Sequence, residues 1–221
     1  MNLLVTDQHL NELPLFPLPG TVFFPNTLMP LHVFEPRYRA LTRYCIQHSW
    51  PMAIVLIEPG HEAAQPGDPP VAKMAGIGHL VMREELDDGR YNIVLQGMAR
   101  IKILEEQPRN ERPYRTARAQ LVSDFVLPDQ ALLQRKAMAV RSALTSLMIR
   151  DHKIREMVSA PLLETRSPAV LADALSAMIF NDPVKRQEQL ACTRVHERLD
   201  RVLDRVAELL AVSGASTTGT N

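Results

Sequence analysis

The sequence contains little cysteine, no excess of either charge and no glycine–lysine pair, and these shortages exclude several classes of protein. Its 221 residues include two cysteines, Cys45 and Cys192, which lie far apart in the chain. They provide neither a disulfide framework nor the spacing of a metal site, which indicates a reducing compartment. Twenty-five basic residues balance twenty-five acidic ones, so the chain lacks the overall positive field of most nucleic-acid-binding proteins.

Motifs of common catalytic sites are also missing. None of the nine glycines is followed by lysine, which excludes a phosphate-binding P-loop, and no serine lies in a G-x-S-x-G elbow. His196-Glu197 begins a near match to the zinc motif H-E-x-x-H, but Asp200 replaces the second histidine. We interpret these three residues as a solvated helix face. The sequence therefore predicts no catalytic residue, no metal site and no cofactor.

A stretch without charged side chains runs from Leu13 to Phe34 and resembles a membrane span in hydropathy alone. Its five prolines argue against a helix, since each removes a backbone donor and costs about 3 kcal/mol in a helix interior. We therefore predict short extended segments packed in a core, and no membrane association. The first twelve residues lack the basic region of a secretory signal, which predicts a cytoplasmic protein. The prolines are Pro14, Pro17, Pro19, Pro25 and Pro30.

The first part of the chain is predicted to form a small, partly open barrel of short strands with one early helix. Turn residues separate apolar or alternating segments, which is typical of strands. The helix is expected to begin at Pro36, with Glu35 as its N-cap, and to end at His48. The predicted strands cover residues 13–16, 26–33, 52–58, 71–86, 90–97, 99–106 and 114–122. Together with a loose leader of about twelve residues, these strands and the helix make up a first domain, residues 1–126.

After Leu127 the pattern changes to amphipathic helices, which start near Asp129, Pro168 and Pro183. Their apolar stripes predict a helical bundle over residues 127–212, followed by a disordered tail, residues 213–221. The last stripe also leaves a homodimer open. The stripe of the first helix comprises Leu133, Ala137, Val140, Leu144 and Leu147. That of the last helix, expected to run unbroken to about residue 212, comprises Val195, Leu199, Val202, Val206 and Leu209.

Several motifs resemble one protein family, the N-terminal substrate-binding domain of Lon proteases. The segment LPLFPLPGTVFFPNTLMPLHVFEPRYRALTRYCI is similar to the opening of that domain, and Phe34–Arg39 (FEPRYR) resembles small bacterial proteins in which the domain stands alone. GIGHLVMREELDDGRYNIVLQGMARIKILEE is similar to its second signature, with Gly97, Arg100 and Ile103 at the matching G-x-x-R-x-x-I positions. RPYRTARAQLV resembles its closing strand.

The resemblance continues into the helical part and covers about nine-tenths of the chain in order. Leu171-Ala172-Asp173 matches an L-A-D motif, and Arg198-Leu199 matches an R-L pair near the end of the domain. Arg186-Gln187 stands where the family usually has Lys-Gln. The resemblance implies an α+β fold, a β-rich PUA-like pseudo-barrel followed by a C-terminal α-helical bundle subdomain. It also implies a stand-alone protein without the ATPase and Ser-Lys peptidase domains of full-length Lon.

By this resemblance, the expected function is non-catalytic binding of unfolded or damaged polypeptides. Two roles stay open at this point, an adaptor for protein quality control with a protease as its partner, and a competitor for substrates. Four residues of the opening segment are candidates for the peptide-binding site, because exposed apolar side chains beside an edge strand can take up an extended peptide. These are Phe23, Phe24, Pro25 and Phe34. Core packing of the same side chains is the alternative.

The second candidate function is RNA binding by the basic strip from Arg109 to Arg118. Arginines with an interleaved aromatic side chain can bind phosphate and stack on a base. The residues concerned are Arg112, Tyr114, Arg115 and Arg118. Glu105, Glu106 and Glu111 adjoin them, so an ordinary mixed-charge surface is the alternative, and the neutral chain makes nucleic acid the less favoured partner.

Overall fold

The computed structural model describes residues 5–62 and 67–217, and the chain divides into two compact units. The first unit comprises the chain up to Ser123 together with Asp182–Ala191, and the second comprises Asp124–Asn181 and the chain from Cys192 onward. The predicted boundaries, 1–126 and 127–212, differ from this division mainly at residues 182–191, which the structure groups with the first unit.

The first unit contains a six-stranded sheet, five strands of which close into a barrel, and its described residues also form three helices. The strands lie in the order β2-β5-β4-β3-β1-β6, and β5 pairs with β6 as well, which closes the ring. The strands are β1 Leu13–Leu18, β2 Leu28–Val33, β3 Met52–Leu56, β4 Met74–Glu85, β5 Tyr91–Glu106 and β6 Arg115–Val122. The helices are α1 Asp7–Asn11, α2 Pro36–His48 and α7 Pro183–Ala191. The pairing of β1 with β3 is parallel, and the other pairings are antiparallel.

The long strand β5 determines this architecture. Its first half pairs with β2 and with the end of β4, and its second half pairs with β6 and with the start of β4. The predicted break at Gly97-Met98 is a bulge within this strand, because Gly97 faces Gly78 whereas Ala99 faces Ile77. The first half therefore carries a three-stranded sheet, β2-β5-β4, that extends beyond the closed part of the barrel.

The second unit consists of five helices around an apolar core. They are α3 Gln130–Arg150, α4 His152–Met157, α5 Ala160–Glu164, α6 Pro168–Ile179 and α8 Val195–Thr217. The predicted stripe of α3 is buried throughout, and four of the five stripe residues of α8 are fully buried. These stripes meet the buried face of α6 in one cluster, which is the packing that their spacing predicts.

Three predicted elements differ from the structure. Residues 7–11 are helical instead of a loose leader, because Thr6 and His9 form a capping box at the start of α1. The helix predicted from Pro183 to about residue 212 is two helices, since the chain between them is held in a short bridge, in which Phe125 donates to the carbonyl of Thr193 (2.9 Å). The end of α8 at Thr217 lies within the predicted tail, of which residues 218–221 are outside the described residues.

The fold is α+β, a six-stranded sheet with most of the helices toward the C-terminus, as the sequence predicts. The barrel was predicted to be partly open, but five of its strands form a closed ring because β5 pairs with both β4 and β6. The predicted helix α2 begins and ends at Pro36 and His48, and its buried face includes Tyr38, Leu41 and Cys45. Among the helices of the described ranges, none has the length and apolar character needed to span a membrane.

Candidate functional site

The predicted peptide-binding residues are separated by the structure into three buried side chains and one exposed side chain. Phe23 and Phe24 are fully buried and Pro25 is also buried, so core packing accounts for all three. Phe34, which follows β2, is 60% exposed and remains available to a ligand. The aromatic pair thus belongs to the interior of the first unit, and Phe34 is the one predicted residue that lies on its surface.

Phe34 lies next to an apolar groove on the outer face of the β2-β5-β4 sheet. The register places Pro30 opposite Val94, and Val94 opposite Met82, so these three side chains share one face. The groove has a volume of about 330 Å³, and Met82 at its wall is 67% exposed. Leu28 and Phe34 continue the same face of β2 at either end, because side chains two residues apart point the same way.

We call this surface the apolar face and define it as Leu28, Pro30, Phe34, Met82 and Val94. Sequence reasoning selected Phe34 alone of this set. The signal for the two members in β2 was the alternation in LMPLHV, whose odd-numbered residues are the more buried ones. Met82 and Val94 join them only through strand pairing, which a linear pattern does not specify.

A chain of polar side chains crosses the groove at the end nearer Phe34, at the level of His32. Arg90 lies 3.3 Å from Nε2 of His32, and Nδ1 of His32 lies 2.8 Å from Oδ1 of Asn92. Asn92 in turn donates to Glu84 at 2.7 Å. Since Asn92 offers its oxygen to Nδ1 of His32 and a guanidinium can only donate, the two contacts match a tautomer of His32 that donates from Nδ1 and accepts at Nε2. Each donor thus meets an acceptor, and this end of the groove is polar but internally satisfied.

A second, smaller cavity adjoins the groove and shares Met82 with it. It has a volume of about 190 Å³, and its lining includes Trp50 and His79. Burial lowers the pKa of His79, and the nearby His9 lowers it further. The imidazole of His79 is therefore neutral near pH 7. The Trp50 Nε1 and His79 Nε2 atoms are buried without a hydrogen-bond partner in the part of the chain that the structure describes.

The arginines proposed for RNA binding each pair with a carboxylate. Arg112 bonds to Glu12 at 2.9 Å, Arg118 reaches Glu105 at 3.3 Å, and Arg109 pairs with Asp68. Such pairs reduce the positive charge that phosphate would meet.

Arg115 and Tyr114 are less accessible still. Arg115 is largely buried and holds Glu106 through two hydrogen bonds of 2.6 and 2.7 Å, with a third to the carbonyl of Pro69. Tyr114 is 5% exposed, and burial raises its pKa to about 12. A ring in that position has no free face on which a base can stack. In the structure the strip is a surface of paired charges, and RNA binding by it stays a prediction.

Within residues 5–62 and 67–217, no group of three or more histidine, cysteine, aspartate or glutamate side chains could hold a metal ion.

Comparison with known proteins relates this chain to Lon proteases. The sequence model of the ATP-dependent protease La (LON) substrate-binding domain matches residues 12–208. The Lon protease of Anaeromyxobacter dehalogenans is 24% identical over 204 residues, which is 91% of this chain and 24% of that protein. Lon protease 2 of Myxococcus xanthus is 23% identical over 204 residues, again 91% of this chain and 24% of that protein. This chain thus spans about a quarter of the length of these curated relatives.

Two solved structures share the fold. The crystal structure of a Lon N-terminal domain protein from Xanthomonas campestris superposes with a TM-score of 0.60 at 22% identity, covering 88% of this chain and 98% of that one. The N-terminal domain of the Mycobacterium avium complex Lon protease gives a TM-score of 0.69 at 15% identity, covering 89% and 98%. At these identities the likeness establishes the architecture.

Proposed function

The chain belongs to the ATP-dependent protease La (LON) substrate-binding domain family, and we propose that it is a non-catalytic module that binds unfolded or damaged polypeptides. We propose further that it presents them to a protease as an adaptor in protein quality control. Unfolded chains differ from folded ones chiefly in the apolar side chains and unpaired backbone that they expose. A module that selects them needs an apolar surface of its own.

The observation that carries this proposal is the apolar face. Leu28, Phe34 and Met82 are each at least 60% exposed, although they lie together on one sheet. Burying three such side chains contributes about 4–6 kcal/mol, and ordering the bound chain offsets part of this. We therefore expect weak binding, with a Kd of about a tenth of a millimolar to a millimolar. Binding of this strength suits a module that meets many different sequences.

The geometry favours polypeptide over RNA as the ligand. Each arginine of the strip already pairs with an acidic side chain, and Tyr114 is buried. The basic side chain beside the apolar face, Arg90, likewise pairs with an acidic side chain, that of Asp88 at 2.6 Å.

The test is to titrate a labelled, permanently unfolded polypeptide with the protein and follow fluorescence anisotropy. Met82→Glu places a charge in the middle of the apolar face, so we expect the Kd to rise at least about tenfold. Met138→Glu is the matched control. Met138 is 63% exposed, close to the 67% of Met82, but it lies on α3 of the second unit.

Met138→Glu is expected to leave the Kd within about twofold of the original value. Equal loss of affinity in both variants would mean that general surface charge, and not the apolar face, governs binding. If the original protein gives no saturable signal at about a millimolar, the proposed function is wrong.

A further inference from the structure

Among the residues that the structure describes, strand β2 has one strand partner, and no strand pairs with its second edge. It ends the strand order and pairs with β5 alone, whereas the other five strands each have two partners or more. A strand in this position presents unpaired backbone donors and acceptors along its free edge. Such an edge can be continued by any extended chain.

The register identifies which backbone groups face outward. Gly97 donates to the carbonyl of Thr27 at 2.8 Å, so the backbone of Thr27 points toward β5. Because this direction alternates along an antiparallel strand, residues 29, 31 and 33 also point toward β5, and residues 28, 30 and 32 point away. Pro30 agrees with this assignment, since a residue without an N–H can stand only where the ladder needs no donor. The free edge therefore offers the N–H groups of Leu28 and His32 and the carbonyls of Leu28, Pro30 and His32.

The other free edge of the same sheet is protected. Residues 79–85 of β4 extend past the segment that pairs with β3. Residues 79–85 contain a bulge between Leu80 and Met82 and end in the charged run Arg83-Glu84-Glu85. Bulges and charges are the usual devices that keep an edge strand from pairing with other chains. Strand β2, LMPLHV, has no bulge and no acidic or basic side chain except His32; its one edge device is Pro30, which removes a single outward N–H and leaves those of Leu28 and His32.

We propose that the polypeptide binds as an added strand along the free edge of β2. This inference rests on the proposed function and specifies the ligand, an extended segment with uncharged, apolar residues at alternate positions. Backbone hydrogen bonds to Leu28, Pro30 and His32 hold the segment whatever its side chains are, which suits a module that binds unfolded chains. The alternate apolar side chains lie beside Leu28, Pro30 and Phe34 and extend the apolar face. Charged residues at those positions oppose binding because they would be desolvated there.

The test uses three versions of one labelled peptide, with leucine and threonine alternating and a length matched to β2. One version is unmodified, the second is N-methylated at the leucines, and the third is N-methylated at the threonines. The N–H groups of alternate residues point to the same side of an extended chain. The side-chain pattern sets the register, because a slip of one residue would turn every leucine away from the apolar face.

Only one of the two methylated versions is therefore expected to lose its hydrogen bonds to β2. We expect its affinity to fall by about three- to tenfold for each blocked N–H, while the other version binds about as well as the unmodified peptide. Equal binding of all three peptides overturns strand addition but leaves polypeptide binding intact. If the unmodified peptide and unfolded proteins both fail to bind, the proposed function itself is wrong.

Variants of the protein provide an independent check. His32→Pro removes one outward N–H without touching the ladder to β5, and His32→Ala removes the side chain but keeps that N–H. We expect His32→Pro to bind the unmodified peptide about three- to tenfold more weakly than His32→Ala, with thermal unfolding curves showing that both variants are folded. A concentration-dependent dimer that His32→Pro abolishes would overturn the proposal, because a second copy would then occupy the edge.

Discussion

At the scale of single residues, glycines explain why Phe23 and Phe24 are buried. A Cβ added at Gly76 would lie 2.0 Å from the carbonyl oxygen of Phe23, and one at Gly97 would lie 2.1 Å from that of Phe24. The backbone of the phenylalanine pair therefore crosses strands β4 and β5 at a distance that a side chain would prevent. In the sequence these glycines appear as part of a family motif. Only the structure shows that they leave room for the backbone of Phe23 and Phe24.

We predict that Gly97→Ala destabilises the protein by about 3 kcal/mol or more, because the methyl group would push against backbone that has no room to move. Chemical denaturation, followed by far-UV circular dichroism, measures the free energy of unfolding. Gly60→Ala is the control. Gly60 has φ +87° but nothing lies within 4 Å of the added carbon, so its cost is limited to backbone strain of about 1–2 kcal/mol. Equal costs for both variants would contradict the close approach.

The burial of single residues also shows why the sequence could identify only one member of the apolar face, Phe34. Aromatic content marked Phe23, Phe24 and Phe34 equally, because hydrophobicity does not distinguish a core residue from an exposed one. Exposure depends on what covers a side chain, and the covering residues come from distant parts of the chain. The same limit applies to Arg115, which is basic in the sequence but is buried against Glu106.

At the scale of elements, Arg198 joins three segments of the second unit. Its guanidinium, fully buried in α8, holds both carboxylate oxygens of Asp124 at 2.7 Å and lies 3.2 Å from Asp173 in α6. Burial alone would lower the pKa of Arg198, but the hydrogen bond to Asp124 and the charges of Asp173 and Asp124 raise it overall. Two motifs that resemble the Lon family separately in the sequence, L-A-D and R-L, thus contact each other through this ion pair.

We predict that Arg198→Met destabilises the second unit by about 3–5 kcal/mol, because it leaves the buried carboxylate of Asp173 without its cation. Arg194→Met is the control, since Arg194 pairs with Glu197 at the surface, where such a pair contributes about 0.5 kcal/mol or less. Urea unfolding followed by circular dichroism gives both values. A cost for Arg198→Met within about 1 kcal/mol of the control would show that the packing of α8, and not this ion pair, holds the segments together.

At the scale of the whole molecule, the chain leaves the first unit and returns to it once. Helix α7 comes after some sixty residues of the second unit, yet it belongs to the barrel. Arg100 of β5 donates to the carbonyl of Leu190 at 2.9 Å, and Gln187 donates to the carbonyl of Met74 at 2.7 Å. Leu190 is itself buried. The first unit is therefore incomplete without residues 182–191.

We predict that a fragment ending at Ser123 is markedly less stable than one in which residues 182–191 are rejoined to it by a flexible linker. Losing α7 removes two hydrogen bonds and the burial of Leu190, together about 3–4 kcal/mol. The melting temperature should therefore differ by about 10 °C or more between the fragments, as measured by circular dichroism. Equal melting temperatures would show that the barrel completes its fold without α7.

The sequence alone determined the family, the fold class and the type of nearly every long element. Periodicity is a local property, so the stripes of α3 and α8 and the start of α2 at Pro36 could be predicted from neighbouring residues. Ordered motifs identified the domain for the same reason.

Only the tertiary structure decided which side chains form a surface. Pro30, Val94 and Met82 are far apart in the chain and meet because strands β2, β5 and β4 pair in one register. That register, like the burial of Phe23 behind its glycines and the return of α7 to the barrel, results from contacts between distant segments. Such contacts depend on how the whole chain fills its core, which no local pattern encodes.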